Sequence, residues 1–233
     1  MKYFALRGES NPKMIGVKNG VAQVEIDESL FENKKMYSSI RSFFDAFAYW
    51  EKTSFYPELD FQVEAARMLP HAKLTDFLSF KPFLISCPFM VNERIKSLLS
   101  KHNLQEHYYF PVRVFEKETL RDGNYYLFYS PMQDYDVIDF SKSTFFSGST
   151  ISGKQYFRFG DKDEFLKAME SNPLLTGEKL VLNRDFDKTL DLFNPRFGPV
   201  CISEKLKDAL QTMDATGINV IDGVDPKIEV QVV

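Results

Sequence analysis

Apolar residues recur along this chain at two different periods, and the switches between them mark out its elements. In "MYSSIRSFFDAFAYW", Met36, Ile40, Phe43, Phe44 and Phe47 keep helical spacing and form a single apolar stripe. The predicted helix stops near the Tyr56-Pro57 step, because the residue before a proline is pushed out of helical geometry. Ahead of it, "KYFAL" and "VAQVEI" read as strands, with an Asn19-Gly20 turn signal before the second. From Leu74 the order becomes denser. "LTDFLSF" reads as a short helical turn, "FLIS" as a buried strand and "VNERIKSLLSKH" as a helix with Ile95, Leu98 and Leu99 facing inward. "YYFPVRVF" is a strand whose Pro111 suggests an edge or a bulge. Asp122-Gly123 signals a hairpin turn before the next strand, in "RDGNYYLFY". "VIDFSKSTFF" and "QYFRFG" are further strands, and "DKDEFLKAMESN" is a helix whose Asp161 and Glu164 have capping-box spacing. "EKLVLN", "LDLF", "INVI" and "KIEVQVV" complete the set as strands.

Two of these segments are copies. "MVNERIKSLLSKHN" and "CISEKLKDALQTMD" align with Glu93 on Glu204, Lys96 on Lys207 and Leu99 on Leu210, each pair 111 residues apart (204 − 93). Val91/Ile202, Asn92/Ser203, Arg94/Lys205 and Ile95/Leu206 match in kind. Asn92 and Ser203 are N-cap residues, and Glu93 and Glu204 place a carboxylate in the first turn, where the helix dipole favours an anion. The repeat is therefore a strand–capped helix–strand unit, with helices near 92–102 and 203–213. The irregular order of strands and helices predicts an α+β fold with mixed or antiparallel sheets rather than a doubly wound one. Residues 1–73 lie outside the repeated region and stand as a divergent N-terminal lobe or as part of the same core. No Pro/Gly/Ser linker marks a boundary, so residues 1–233 read as one domain.

Composition changes this picture little. With 44% apolar and 27% charged residues the chain can build a core without disulfide or metal staples. A net charge of −4 argues against a dedicated nucleic-acid binder and leaves a basic protein partner open. The opening apolar run is too short for a secretion signal, and no stretch approaches the roughly 18 apolar residues of a membrane span. Cys87 and Cys201 read as reduced and buried, so the expected location is cytoplasmic. The 23 phenylalanines, against 11 tyrosines and one tryptophan, predict a large aromatic core.

Candidate chemistry is sparse. "GSTISGKQ" fits the first seven positions of a phosphate-binding loop, but Gln155 stands where a magnesium-binding hydroxyl is needed and a strand follows instead of a helix. It reads as a Gly/Ser turn. Asp134/Asp136, Asp161/Asp163 and Asp185/Asp187 are acid-x-acid pairs that could hold a divalent cation on an extended chain, but they are expected as solvated turn and cap residues. Asp134, Asp136 and Asp139 form the best local cluster. His71, His102 and His107 have no metal-ligand spacing. Ser203-Glu204 has no local histidine to activate it, and its duplicate is Asn92-Glu93, so the cap reading explains both copies. No catalytic motif, cofactor site or metal site is assigned.

The second copy, with "LTDFLSF", "YYFPVRV" and "VIDFSKSTFF" upstream, resembles a bacterial family of immunity proteins of polymorphic toxin systems, the myxobacterial-type immunity domain. The resemblance runs from roughly Leu74 to Val224, with Asn92 where the family's serine is usual in the first copy. It implies a protein that binds a cognate toxin, encoded nearby, and blocks it by occlusion without catalysis. Asn92, Glu93, Ser203 and Glu204 would then be scaffold. Specificity would sit on loops, with Asp134, Tyr135 and Asp136 expected to oppose a basic toxin cleft. Two other readings stand beside this one. The first is a metal-assisted hydrolase or transferase in which Asp134, Asp136, Asp139 or Asp185 converge in space. The second is a small-ligand sensor with an aromatic pocket. Oligomeric state is not legible.

Overall fold

The alternating run "YYFPVRVFE" becomes the longest strand among the described residues, and their largest sheet forms around it. The computed structural model describes residues 2–18, 22–44, 63–121, 123–149, 151, 153–222 and 227–230. Along the first part of the chain lie β1 (Tyr3–Gly8), α1 (Pro12–Ile15), β2 (Val24–Ile26), α2 (Lys34–Phe43) and β3 (Val63–Met68). Next come β4 (Phe77–Leu78), β5 (Phe80–Lys81), β6 (Phe89–Asn92), α3 (Glu93–Leu99), β7 (Tyr108–Glu116), β8 (Thr119–Leu120) and β9 (Tyr125–Tyr129). The remainder is β10 (Thr144–Ser149), β11 (Gly153–Phe157), α4 (Lys162–Ser171), β12 (Thr176–Leu182), β13 (Leu192–Phe193), β14 (Val200–Ser203), α5 (Glu204–Thr212), β15 (Ile218–Ile221) and β16 (Lys227–Val230).

The large sheet has the order β4-β6-β9-β7-β3-β2-β5, with β8 added to β7. A second sheet runs β13-β14-β1-β15 and a third β11-β10-β12-β16. Most pairings are antiparallel, while β2/β5, β3/β7 and β12/β16 are parallel. The fold is α+β with mixed sheets. The first strand of the chain lies between two of the last, since β1 pairs with both β14 and β15. β2 and β3 likewise belong to the large sheet.

Three sequence expectations are corrected. "LTDFLSF" is not a helical turn. Phe77 and Leu78 pair with Val91 and Met90, and Phe80 pairs with Val24, so cross-strand partners claim a run too short to hold a helix. "FLIS" is not a strand. The chain turns there, with Ser86 at a φ of 60° and the Cys87 amide donating to the Leu84 carbonyl, and Leu84 and Ile85 are still buried. In "VIDFSKSTFF" only the end is strand, because Asp139 folds the chain back by accepting the Ser143 amide on its carbonyl. Pro111 lies on an interior strand, paired with Tyr126 of β9. The ladder to β3 begins at the next residue, Val112, and its register shifts between Val63 and Ala66. The Asn19-Gly20 signal, Phe47, the Tyr56-Pro57 step and Asp122 lie outside the described residues.

The glycine-rich stretch is the β10/β11 hairpin. Gly148 has a φ of 94°, and a Cβ there would lie 2.2 Å from the Gly153 carbonyl oxygen, so the turn needs glycine. Thr150 and Ser152 lie outside the described residues.

Phenylalanine fills the interior. One core cluster packs α2 against the large sheet around Phe44, Phe110 and Tyr129. A second surrounds Phe145, Phe165 and Phe193, with Phe140 stacked 5.7 Å from Phe145. The third joins the two copies of the repeat, burying Val91, Ile95 and Leu99 together with Ile202, Leu206 and Leu210. Each helix alone is too short to be stable, and this shared apolar contact is what holds both.

Candidate functional site

Both repeated helices start from a residue that performs two tasks. The Asn92 Oδ1 accepts the Ile95 amide at 3.0 Å, capping α3, while its Nδ2 donates to the Asp76 carboxylate at 2.9 Å. The Ser203 Oγ accepts the Leu206 amide at 3.2 Å, capping α5, and donates to the Asp191 carboxylate at 2.7 Å. An amide and a hydroxyl each combine an acceptor with a donor, so Asn and Ser can fill the same place in the two copies.

Asp76 and Asp191 are the centres of two equivalent clamps. Each immediately precedes a two-residue strand, β4 or β13, and each takes the amide of the cap residue on its own carbonyl. Each binds the cation two residues into the helix: Arg94 lies 3.1 Å from Asp76, and Lys205 lies 3.0 Å from Asp191. The remaining partners are exchanged. Asp76, from the first copy, accepts the amide and hydroxyl of Thr216, beyond α5 of the second, both at 2.9 Å. Asp191, from the second copy, accepts the Asn103 amide at 3.1 Å and pairs with His102 at 3.1 Å, both beyond α3 of the first. Gly217 makes one exchange possible, because at its φ of 85° a Cβ would sit 2.0 Å from the Phe77 carbonyl oxygen.

Burial pushes both carboxyls up, but the hydrogen bonds and cations outweigh it and hold them below the ordinary aspartate range. For Asp76 these are the Thr216 amide, Asn92, the Thr216 hydroxyl and Arg94. For Asp191 they are Ser203, Lys205, the Asn103 amide and His102. Both aspartates are therefore ionised and fully engaged at neutral pH.

The first-turn glutamates are less committed. Glu93 accepts the Tyr126 hydroxyl at 2.6 Å, and Glu204 lies 3.8 Å from Lys207. Lys96 and Lys207 each lie over an aromatic ring on the neighbouring strand, Tyr126 of β9 at 3.7 Å and Phe4 of β1 at 4.4 Å. Tyr126 pairs with Val91 and Phe4 with Ile202, residues that are themselves equivalent. So β1 serves the second unit as β9 serves the first, although it stands at the opposite end of the chain.

The residues expected at an interface separate. Tyr135 is 8% exposed and packs among Phe140, Phe165 and Phe197, with the Arg196 guanidinium 4.3 Å from its ring centre. The expectation that it offers contact area is corrected: an apolar ring between two turn-forming aspartates is the anchor of that turn. Asp134 caps the turn through the Asp136 amide at 3.0 Å. The Asp136 side chain is 74% exposed, with Lys162 at 2.6 Å, and Lys162 also reaches Asp134 at 3.6 Å. Asp139 is held by Ser141 at 2.6 Å and by Lys142 at 2.9 Å. Asp161 caps α4 through the Glu164 amide at 2.9 Å, and Glu164 takes the Gly160 amide in return. Asp187 accepts the amide and hydroxyl of Thr189, and the Asp185 amide donates to the Asn183 side chain. Among the described residues no three His, Cys, Asp or Glu side chains are grouped to hold a metal ion. Cys87 and Cys201 are free and buried, and burial raises both thiols, Cys201 to about 12. His107 bonds the Gln105 carbonyl, and no helix among the described residues is long and apolar enough to cross a membrane.

The clamps were not foreseen. Their signal was present as an aspartate followed by two apolar residues, Asp76-Phe77-Leu78 and Asp191-Leu192-Phe193, ahead of each capped strand. The model of the Immunity protein family (Imm11) matches residues 56–225, a span that contains both clamps and both copies of the repeat. The chain belongs to that family. No curated protein matches it. Membership in an immunity family points to a toxin-neutralising protein, and within it the repeated residues take scaffold positions.

Proposed function

We propose that this protein binds a cognate bacterial toxin, encoded beside it and met in the cytoplasm, and neutralises it by covering its working surface without catalysis. The observation that carries this reading is the family match across both copies of the repeat. The clamps support the non-catalytic mode, because the shared caps Asn92 and Ser203, the aspartates Asp76 and Asp191 and the cations Arg94 and Lys205 are engaged in capping the helices and in cross-linking the two units. Asp134 and Asp136 are offered to a basic toxin surface, with Tyr135 as the buried pin that sets their turn. Exposed carboxylates on an acidic protein speed encounter with a cationic partner.

The test is co-expression of the toxic neighbour with and without this chain, followed by purification of the pair. Survival together with a stable one-to-one complex supports the reading. Toxicity unchanged by this chain, with no complex on mixing, overturns it.

A further inference from the structure

The pseudo-symmetry of the two units brings one more feature together. Residues 83–88 lead from β5 into β6, and residues 194–199 lead from β13 into β14. These connections enter the two equivalent strands, and they end in Pro88-Phe89 and Pro199-Val200, again 111 positions apart. Between them lies a groove of about 440 Å³, closed by the Leu6–Gly8 end of β1 and by Met132. Its volume falls within the roughly 300–1,000 Å³ of ordinary ligand pockets.

The chemistry of the lining is selective. Its polar floor is already satisfied, with the Asn194 Nδ2 donating to the Ser130 carbonyl at 2.8 Å and reaching the Ser86 Oγ at 3.4 Å. Arg7 is the single charged residue among those lining it, and no carboxylate is present. Arg7 is exposed and has no ion pair or side-chain hydrogen bond among the described residues. Phe83 also lines it, 75% exposed, the only phenylalanine among the large apolar side chains left in solvent in the described residues. A largely apolar cleft carrying one unpaired cation on an otherwise acidic protein complements an apolar body with a negative group beside it.

We infer that this groove takes a segment of the toxin that carries a bulky apolar side chain next to a carboxylate, with Arg7 pairing the carboxylate and Phe83 packing on the side chain. The inference rests on the immunity reading above and names the place where the partner is held. It adds to the Asp134/Asp136 turn a contact of opposite charge, so that the two together fix the orientation of the toxin. The turn starts two residues after Met132.

The experiment uses the full chain and the purified toxic neighbour. Affinity is measured by calorimetry for wild type, Arg7→Glu and Phe83→Ala, and amide exchange is followed on the wild-type complex. Both substitutions change exposed side chains, and the exchange measurement needs no variant. The expected result is about a 100-fold loss for Arg7→Glu and about a tenfold loss for Phe83→Ala, with toxin-dependent protection at 83–89 and 198–200. A wild-type complex with both variants at full affinity and protection elsewhere overturns the groove and leaves the immunity reading standing. Absence of any wild-type complex overturns both. Protection of the same amides by 3-phenylpropionate but not by the toxin makes the groove a small-molecule site, which also overturns the inference.

Discussion

The two clamps hold the same geometry with different chemistry. In the first, an asparagine caps the helix, an arginine meets the aspartate, and a threonine arrives from the other copy. In the second the same places are taken by a serine, a lysine and a histidine–asparagine pair. What is retained is a pattern of donors and acceptors around a buried carboxylate. The difference teaches that the requirement at the cap is for one acceptor facing the helix and one donor facing the aspartate. Because each aspartate also grips the far copy, neither unit can loosen without exposing a carboxylate of the other.

The largest effect should follow from removing a clamp centre. Asp76→Ala or Asp191→Ala strips a buried charge from its partners, and each is expected to cost about 3–5 kcal/mol in urea unfolding. If one variant were near neutral, the two clamps would not be equivalent. Next in size is a substitution that keeps the cap and breaks the clamp. Asn92→Asp places a second carboxylate against Asp76, so it should cost about 2–3 kcal/mol although aspartate is as good an N-cap as asparagine. Asn92→Ser, which installs the second copy's solution in the first, should cost under about 1 kcal/mol; a larger loss would show that the caps are not interchangeable.

Acid sharpens the same comparison. Both carboxyls are depressed in the folded state, so their contribution is fully present above the unfolded aspartate value of about 3.9 and is lost as pH falls through the folded values. Wild type should therefore lose stability steeply below about pH 4, and Asp76→Asn should show a shallower fall over the same range by thermal melting. The smallest expected change in stability concerns the exposed turn. Asp134→Lys with Asp136→Lys should move stability by under about 1 kcal/mol, since Lys162 loses its partners only at the surface, while lowering toxin affinity about tenfold and reducing its salt dependence. Unchanged affinity would remove these residues from the interface.

Much of the architecture was legible in residue order. The caps of α3, α4 and α5 follow from Asn92, Asp161 and Ser203 ahead of helical periodicity, since an N-cap is a local interaction across three residues. The α+β class and the repeat followed from the same local periodicities, and the family followed from the motifs the repeat carries. Short elements were misread. "LTDFLSF" became two strands because Val91 and Val24 offered pairing edges, and a run of that length carries no decisive period of its own. Tyr135 looked like a contact residue in a polar loop, and only the Phe140, Phe165 and Phe197 rings beneath it decided that it is an anchor.

What the sequence determined by itself is therefore everything that depends on neighbours a few residues apart: the caps, the helical stripes, the glycine turn and the duplicated unit. The tertiary structure alone decided that β1 enters the second unit, that Asp76 meets Thr216 and Asp191 meets His102, and that two equivalent connections enclose a groove. Those contacts join residues about 90 to 200 positions apart. No local propensity encodes which distant partner a buried aspartate will find. The packing of the shared core settles it, because this arrangement buries the apolar faces of both helices together and gives each carboxylate its partners.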